Sequence, residues 1–299
     1  MSYFHKIIFY FTIALFSNTC LAGQAQFDKV SIQEKLAQLE SKYHVRLGIA
    51  AVNIDTNEAI NYRADERFPI QSTFKLIGVS AVLYRSIADP SLLNQKIFYN
   101  KSEVVTWSPI TGKNINNGMT ILELSAAAMM YSDNTAINLL VKKLGGFNKV
   151  IQFARFIKND SFRLDHFEPN MNSDPSRLED TSTPNDMQFS LQKIIFSKIL
   201  SVKQRELLVD WMKQNTTGDT KIRAGVPKGW VVADKTGSGS YGISNDLGII
   251  WPPNRPPIIL VIYSVQNDKN ATHHDEILAV VTRLVCEAYI NSMIVKSNS

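Results

Sequence analysis

The stretch Gln71-Ser72-Thr73-Phe74-Lys75 opens a long apolar run that continues to Tyr84. In a helix, residues three apart share a face, so the hydroxyl of Ser72 would lie beside the amine of Lys75. Serine needs a neighbouring base to become a nucleophile, and a desolvated lysine can take up its proton. Ser72 could equally be a helix cap and Lys75 a solvated lysine of the first turn. This stretch alone therefore leaves both interpretations open.

Composition and charge indicate a globular protein with a sizeable core. The 299 residues are 44% hydrophobic and 20% charged, which allows one large domain or two. The formal net charge is +5, but Lys and Arg are scattered along the chain with no run longer than a pair. We interpret this charge as a source of solubility, and we expect no nucleic-acid partner.

The N-terminus has the plan of a secretory signal peptide. Lys6 precedes the apolar run Ile7-Ile8-Phe9-Tyr10-Phe11-Thr12-Ile13-Ala14-Leu15-Phe16, and small residues follow. We predict a signal peptide over residues 1–22, cut after Ala22 or Ala25, and hence export from the cell. The run is short for a membrane span, so no membrane attachment is expected after cleavage, although lipidation of Cys20 is an alternative. Cleavage would leave Cys286 as a single buried thiol.

Strand patterns lie near both ends of the chain and helical patterns lie between them. The strand patterns cover residues 45–52, 59–63, 231–236, 243–251 and 257–265, and the helical patterns cover 31–43, 120–130, 134–143, 147–157, 184–196, 201–214 and 275–293. This order predicts an α/β domain built from residues 26–68 and 215–295, with an all-helical domain of residues 69–214 inserted in it. The crevice between the two domains is the expected place for a site.

Two further short motifs follow Ser72 and Lys75 in a fixed order. Ser132-Asp133-Asn134 lies between two helical patterns, and Lys235-Thr236-Gly237-Ser238 is predicted to end a strand. Ser-x-x-Lys, Ser-Asp-Asn and Lys-Thr-Gly, in this order, are the motif set of the penicillin-recognising serine enzymes. Singly, each motif has an ordinary structural explanation as a cap, a turn or a strand end, but the ordered set is hard to obtain by chance.

A long irregular segment, residues 163–183, narrows the resemblance. Glu168-Pro169-Asn170-Met171-Asn172, followed by Asp180-Thr181-Ser182-Thr183-Pro184, resembles the omega loop of class A β-lactamases. Nearly all of the mature chain is similar to that family. The resemblance implies a β-lactamase/transpeptidase-like fold, with an antiparallel sheet flanked by helices beside the inserted helical domain. It also implies a class A serine β-lactamase, a hydrolase of cyclic amides that provides antibiotic resistance.

The resemblance implies a covalent mechanism on penicillins and cephalosporins, with mechanism-based inhibitors as further ligands. Ser72 would be acylated, and Glu168 would activate the water that releases the acyl group, with Asn172 sharing that water. Whether Lys75 or Glu168 takes the serine proton during acylation stays open. Ser132 would then pass a proton to the β-lactam nitrogen.

The other implied site residues bind or orient the substrate. Lys235 would tune Ser132, and the backbone N–H groups of Ser72 and Ser238 would form an oxyanion hole. The remaining assignments are Asn134 for the acylamino side chain of the substrate, Thr236 and Ser238 for its carboxylate, and Trp107 at the mouth of the site.

The chain departs from the family pattern at the expected carboxylate-binding cation. Ser244 and His274 stand where many class A enzymes have an arginine. Our hypothesis is that Lys221 substitutes, as a point charge without the two-pronged geometry of arginine. Nearby, Arg223 and Asp234 are predicted to form a structural ion pair.

A second departure concerns the omega loop. The loop is one residue shorter than usual between Glu168 and Asp180, and His166 replaces the arginine that commonly pairs with this aspartate. Histidine is only partly charged near neutral pH, so we predict a loop held less firmly, with bulkier cephalosporins admitted or slower deacylation. Gln71 and Gly239 occupy the positions of a disulfide found in some carbapenem-hydrolysing relatives, which makes carbapenem hydrolysis less expected.

No cofactor is expected, and metal chemistry finds little support in the sequence. His273-His274-Asp275 is the one cluster of ligand residue types, and it is better explained as a helix N-terminus. We expect a monomer. Two alternatives to a β-lactamase stay open at this point: a D,D-peptidase or transpeptidase, which would not need Glu168 and Asn172, and a β-lactam sensor that is acylated without hydrolysis.

Overall fold

The computed structural model describes residues 31–297 of the chain. The predicted signal peptide, its cut sites and Cys20 lie outside the described residues. The helices are α1 (described over 31–43), α2 (Lys75–Ala88), α3 (Ile121–Met130), α4 (Asn134–Leu144), α5 (Phe147–Phe156), α6 (Pro184–Phe196), α7 (Val202–Lys213), α8 (Ile222–Gly225) and α9 (Asp275–Ser297). The strands are β1 (Arg46–Asn53), β2 (Ala59–Tyr62), β3 (Phe68–Pro69), β4 (Lys96–Ile97), β5 (Met119–Thr120), β6 (Thr181–Ser182), β7 (Val231–Gly239), β8 (Ile243–Trp251) and β9 (Ile258–Val265).

Five strands form one antiparallel sheet in the order β2-β1-β9-β8-β7. The first strand of the chain therefore pairs with the last one, in a register that sets Val52 opposite Ile259. This pairing joins the two ends of the chain, and the long helical segment leaves the sheet after β2 and returns at β7. The predicted fold class, an antiparallel sheet from both chain ends with helices inserted between, is confirmed.

The central strand β9 is buried along its whole length, and its side chains alternate between two hydrophobic cores. Ile259 and Val261 contribute to the core shared with the inserted helices. Leu260 and Ile262 contribute to a second core on the opposite face, where α1 and α9 pack. Successive residues of a strand point to opposite faces, so a continuous apolar run is what a sheet covered on both sides requires.

Helix α2 runs through the middle of the inserted helices. Leu76, Ile77, Val79 and Leu83 are fully buried, as expected for a helix that is apolar nearly all round. A 3₁₀ turn, Gln71–Phe74, precedes this helix, so Ser72 lies on the turn and Lys75 is the first residue of α2. The α2 backbone thus places a buried lysine directly under the serine.

The structure corrects some predicted boundaries. The motif Lys235–Ser238 lies at the end of a strand as predicted, but the strand predicted over residues 231–236 is too short, because β7 continues to Gly239 and pairs with β8 as far as Ile243. The one-turn helix α8 and the short pairs β3–β6 and β4–β5 were not predicted, because segments of two to four residues carry no periodic pattern. The predicted division at residues 68/69 and 214/215 stays a prediction. Within residues 31–297, no helix is both long and apolar enough to cross a membrane.

Candidate active site

The turn that carries Ser72 is fastened to the sheet at two points. Asn245 on β8 donates from Nδ2 to the carbonyl of Pro69 over 2.8 Å. Gly237 on β7 lies so close that a Cβ there would come within 3.0 Å of the Ile70 carbonyl and 3.1 Å of the Ser72 nitrogen. A side chain at Gly237 would require the two segments to move apart by a few tenths of an ångström, so glycine favours this approach.

Lys75 is fully buried beneath the serine. Its Nζ donates to Ser72 Oγ over 2.8 Å, to the Ser132 carbonyl over 2.8 Å and to Asn134 Oδ1 over 2.6 Å. Glu168 Oε1 lies 3.1 Å from the same nitrogen. Burial lowers the pKa of Lys75, and the charge of Glu168 opposes this shift. The predicted juxtaposition of the Ser72 hydroxyl and the Lys75 amine is confirmed.

Ser132 lies between α3 and α4, in the left-handed backbone region with a φ of 55°. Its Oγ is 3.0 Å from Lys235 Nζ and 3.2 Å from Lys75 Nζ. Asp133, not Ser132, caps α4 by accepting from the backbone N–H of Ala136 over 2.9 Å. The Ser132 hydroxyl is therefore not used as a helix cap and faces the two lysines.

Lys235 comes from β7 and is also fully buried. Burial lowers its pKa well below the usual range, and the nearby charge of Lys75 adds to the effect. Its Nζ donates to the Thr236 carbonyl over 2.8 Å as well as to Ser132. Burial therefore disfavours the charged forms of both lysines, and for Lys235 the charge of Lys75 adds to this effect.

Glu168 reaches this cluster from the omega loop. Its Oε1 accepts a hydrogen bond from Ser72 Oγ over 2.6 Å. Asn138 on α4 holds the backbone on both sides of the residue, donating to the Glu168 carbonyl over 2.8 Å and accepting from its N–H over 3.1 Å. The peptide bond between Glu168 and Pro169 is cis. The loop thus brings a carboxylate within hydrogen-bond distance of the serine hydroxyl.

Asp180 holds the two ends of the omega loop together and is fully buried. Its carboxylate accepts from the backbone N–H groups of Asp165, His166 and Asn172 over 2.6, 3.1 and 2.9 Å. His166 occupies the position where class A relatives commonly have an arginine, and its Nδ1 lies 2.7 Å from Asp180 Oδ2. The effect of this histidine on loop mobility stays a prediction.

Asn172 lies close to the site, but its side-chain amide is directed to the backbone of its own loop. Nδ2 donates to the carbonyls of Glu179 and Asp174 over 2.9 and 3.2 Å, and Oδ1 accepts from the Asp174 N–H over 2.9 Å. Both ends of the amide are therefore engaged. The predicted sharing of a water with Glu168 stays a prediction.

The cluster opens into a cavity of about 850 Å³ between the sheet edge β7, the omega loop and the α3–α4 connection. Ser72, Ser132, Asn134, Glu168, Thr236 and Ser238 all line it, whereas Lys75, Lys235 and Asn172 do not. Trp107 lies at the mouth with 61% of its surface exposed, and its Nε1 donates to the Tyr131 carbonyl over 3.2 Å. The predicted site residues that face the cavity also include Trp107 and Lys221, and together they come from six separate segments.

Lys221 closes one end of the cavity. Its Nζ donates to Ser244 Oγ over 2.9 Å and to Ser238 Oγ over 3.2 Å. Asp275, at the start of α9, places Oδ1 3.4 Å from the same nitrogen. Burial alone would raise the pKa of Asp275, but attraction to Lys221 and hydrogen bonds from Ser244, Thr220 and Lys221 lower it overall. The cation at this end is therefore already partly neutralised.

The ion pair predicted beside the site is confirmed. Arg223 Nε donates to Asp234 Oδ1 over 2.8 Å, and Asn215 Nδ2 donates to the other carboxylate oxygen over 2.9 Å. His274 occupies a position where class A relatives commonly have an arginine. Its Nδ1 lies 3.0 Å from Glu276 Oε1, and its side chain does not line the cavity. Among the described side chains, no group of three or more His, Cys, Asp or Glu is placed to hold a metal ion.

Sequence reasoning missed several residues that build the site. Asn138 and Gln71 hold the omega loop, Ser173 lines the cavity, and Asp275 pairs with Lys221. None of them carries a local signal. Asn138, Gln71 and Asp275 contact segments at least thirty residues away in the sequence, and Ser173 lies in irregular backbone. Asp275 was noticed only as part of a helix N-terminus.

The fold and the site together place a serine hydroxyl within hydrogen-bond distance of a buried lysine amine and a buried glutamate carboxylate. The chain belongs to the β-lactamase enzyme family, whose family model matches residues 31–289. It is 46% identical to the β-lactamase Toho-1 of Escherichia coli over 276 residues, 92% of this chain and 94% of that protein. It is also 46% identical to the β-lactamase OXY-1 of Klebsiella oxytoca over 258 residues, 86% of this chain and 89% of that one. A crystal structure of a β-lactamase from Burkholderia phymatum matches with a TM-score of 0.85 and 42% identity, over 87% of this chain and 98% of the other.

Proposed function

We propose that this enzyme hydrolyses the β-lactam ring of penicillins and cephalosporins through an acyl-serine intermediate on Ser72, and so confers antibiotic resistance. The observation that carries the proposal is the position of the Ser72 hydroxyl, within hydrogen-bond distance of both Lys75 Nζ and Glu168 Oε1. Two possible bases on one hydroxyl suit a reaction in which the serine is first acylated and then released.

In acylation, Ser72 Oγ attacks the carbonyl carbon of the lactam, and the C–N bond of the ring breaks. The serine proton goes to Lys75 or Glu168, both of which are in reach. Ser132 passes its proton to the departing nitrogen and receives one in turn from Lys75 Nζ, 3.2 Å from its Oγ. The lowered pKa of Lys75 favours the neutral amine that a base requires. Lys235, 3.0 Å from Ser132 Oγ, stabilises the hydroxyl oxygen while its proton is being transferred.

The negative charge that develops on the carbonyl oxygen would be stabilised by the backbone N–H groups of Ser72 and Ser238. Ser72 lies in the first turn of a helix, where N–H groups have no acceptor within the helix. Gly237 allows β7 to approach this nitrogen closely. Loss of one such donor costs roughly 10²–10³-fold in rate in a comparable oxyanion hole.

The carboxylate of the substrate would lie at the end of the cavity closed by Lys221. Thr236 and Ser238 offer hydroxyls there, and Lys221 Nζ is 3.2 Å from Ser238 Oγ. Lys221 supplies the charge as a compact ammonium, so it attracts the carboxylate without fixing its orientation as a guanidinium does. Its pairing with Asp275 limits the strength of that attraction.

The acylamino side chain of the substrate would lie on the opposite side of Ser72. Asn134 lines this part of the cavity, and its amide is oriented by Lys75 at Oδ1 and by the Thr106 carbonyl, 2.9 Å from Nδ2. Trp107 provides an exposed aromatic face at the mouth. These two residues would orient the substrate before Ser72 attacks.

In deacylation, Glu168 would take a proton from water while that water attacks the ester carbonyl, and Ser72 Oγ leaves with a proton. A base within reach of the water contributes roughly 10²–10⁴-fold. If Asn172 shares this water, its amide must turn away from the Glu179 and Asp174 carbonyls that it now contacts. If the Asn172 amide keeps its present contacts, the contribution of Asn172 is to fix the omega loop.

We also propose that the mature enzyme acts as a monomer in the periplasm or outside a bacterial cell, where its β-lactam substrates arrive. The predicted signal peptide supports this location. Mechanism-based inhibitors that acylate serine would bind at the same place as substrates.

Turnover of a chromogenic cephalosporin by purified mature protein tests the function. We expect nitrocefin to be hydrolysed many times per enzyme molecule, and Ser72→Ala to lose both turnover and acyl adduct. A single burst equal to the enzyme concentration would contradict the proposal and favour a D,D-peptidase or a β-lactam sensor.

A further inference from the structure

Gln71, the residue immediately before Ser72, has an unusual backbone and a buried side chain. Its φ is 47°, in the left-handed region that residues other than glycine seldom adopt. Only 5% of its surface is exposed. A residue held in this conformation needs interactions that compensate the strain, and such residues are concentrated at functional sites.

The Gln71 amide connects the nucleophile turn to the omega loop. Nε2 donates to the Asn172 carbonyl over 2.7 Å and to Ser173 Oγ over 3.1 Å. The residues it holds are four and five positions after Glu168. Asn138 fixes the backbone of Glu168 itself. The segment 168–173 is thus held at its start by α4 and at its end by the nucleophile turn.

Strand β7 also lies against the contact between Gln71 and Ser173. A Cβ added to Gly239 would lie 2.8 Å from Gln71 Cδ and 2.8 Å from Ser173 Oγ. The side chains of Gln71 and Ser173 therefore pack directly on the strand backbone, and all three residues line the cavity. They close its wall beside the omega loop.

We propose that Gln71 is a positioning residue for deacylation, a proposal that rests on the proposed function. Its amide holds residues 172–173 against the turn that carries Ser72, and this fixes Glu168 relative to the acyl ester. Without the amide, residues 172–173 would keep their hydrogen bonds within the loop, including the one from the Asn172 N–H to Asp180, but would lose their link to the nucleophile turn. With Lys75 as the acylation base, acylation depends on groups from the nucleophile turn, α2, the α3–α4 connection and β7, so it would change less.

Gln71→Met tests this role, because methionine keeps the length of the side chain and lacks the N–H donor. We expect kcat for benzylpenicillin to fall about tenfold, the effect of losing a hydrogen bond of ordinary strength. KM should fall by a similar factor, because acyl-enzyme accumulates when deacylation limits the rate. Intact-protein mass spectrometry should then detect the acyl adduct during turnover.

Hydrogen–deuterium exchange tests the contact without relying on catalysis. Gln71→Met should speed exchange in residues 170–179 and leave α2 unchanged, whether or not the wild-type protein hydrolyses β-lactams. Ser173→Ala is the matched control, since it removes the longer hydrogen bond and keeps the one to the Asn172 carbonyl; it should change kcat less than threefold. Gln71→Ala provides a second variant if Gln71→Met does not fold.

Two results would overturn the proposal. One is a Gln71→Met enzyme with wild-type kcat, KM and loop exchange. The other is an equal loss of activity in acylation and deacylation together with a lower melting temperature, which would indicate a general structural role. Absence of turnover by the wild-type protein would refute the proposed function, and loop exchange would still decide whether Gln71 holds the loop.

Discussion

The two sides of the cavity are built by different means. Ser72, Lys75 and Lys235 belong to a helical turn, a buried helix and a central part of strand β7, and their positions follow from packing of the cores. Glu168 belongs to irregular backbone and is placed by hydrogen bonds from Asn138 and Ser72. The same cavity therefore has one wall that is fixed by the hydrophobic core and another that is fixed by a polar network.

This difference separates the two half-reactions. With Lys75 as its base, acylation would use the wall that cannot move without disturbing the core, whereas deacylation would use the wall that a few side chains hold in place. Changes outside the site can then alter release of the acyl group and leave its formation largely intact. The predictions below test this separation, then the carboxylate-binding end of the cavity and finally the second core, in order of decreasing expected effect.

The largest effect is expected from Asn138→Ala, which removes both hydrogen bonds to the Glu168 backbone. A displacement of about 1 Å at a reacting group can cost roughly 10²-fold, so kcat should fall about 100-fold with accumulation of acyl-enzyme. Stopped-flow measurement should show an acylation rate within tenfold of wild type. Asn159→Ala is a suitable control, because Asn159 is a buried anchor for Phe162 that does not touch Glu168. An equal loss in both steps would contradict the separation.

An intermediate effect is expected from Lys221→Ala at the opposite end of the cavity. Loss of a charge-assisted contact to the substrate carboxylate should raise KM for penicillins about tenfold, with kcat changed less than threefold. Asp275→Asn is the matched comparison, and it should leave KM unchanged or lower it, because it frees the Lys221 ammonium from its partner. An unchanged KM in Lys221→Ala would exclude this lysine as the carboxylate-binding cation.

The smallest effect concerns Cys286, which lies in the second core, far from both walls. Burial, assisted by Glu287, raises the pKa of its thiol to about 12. An unfolded thiol ionises near pH 8.5, so the unfolded state loses its proton first and the contribution of Cys286 to stability falls as the pH rises. Between about pH 8.5 and 10 the decrease should approach 1.4 kcal/mol per pH unit.

Urea unfolding of wild type and Cys286→Ala at several pH values measures this contribution. The difference in unfolding free energy between the two proteins should shrink as the pH rises, while kcat stays the same in both. A difference that is independent of pH would mean that the thiol is not protonated in the folded state at alkaline pH.

Much of the cavity wall that is fixed by the hydrophobic core could be predicted from the sequence. The Ser72–Lys75 spacing predicts a hydroxyl beside an amine in any helical turn, and an apolar run on all sides predicts a buried helix. The end of β7 was placed too early, because glycine and serine residues disfavour strands, and pairing with β8 overrides that local preference. Pairing with β8 sets the end of β7, and the residues of the motif alone do not indicate where the strand ends.

Little of the cavity wall that is fixed by the polar network could be predicted from the sequence. Resemblance to the family placed Glu168 and Asp180, but the residues that hold the loop, Asn138 and Gln71, lie 30 to 102 positions from their partners. A polar side chain that donates to a distant backbone carbonyl leaves no periodic pattern. The pairing of Asp275 with Lys221 was missed for the same reason.

The central claim is that Ser72 forms the acyl-enzyme and Glu168 releases it. The most direct measurement is mass spectrometry of Glu168→Ala mixed with benzylpenicillin. We expect an adduct with the mass of the intact penicillin, mapped to Ser72 after digestion and stable for minutes, while wild type shows turnover with little adduct. Turnover by Glu168→Ala at the wild-type rate, with no adduct on Ser72, would contradict the claim.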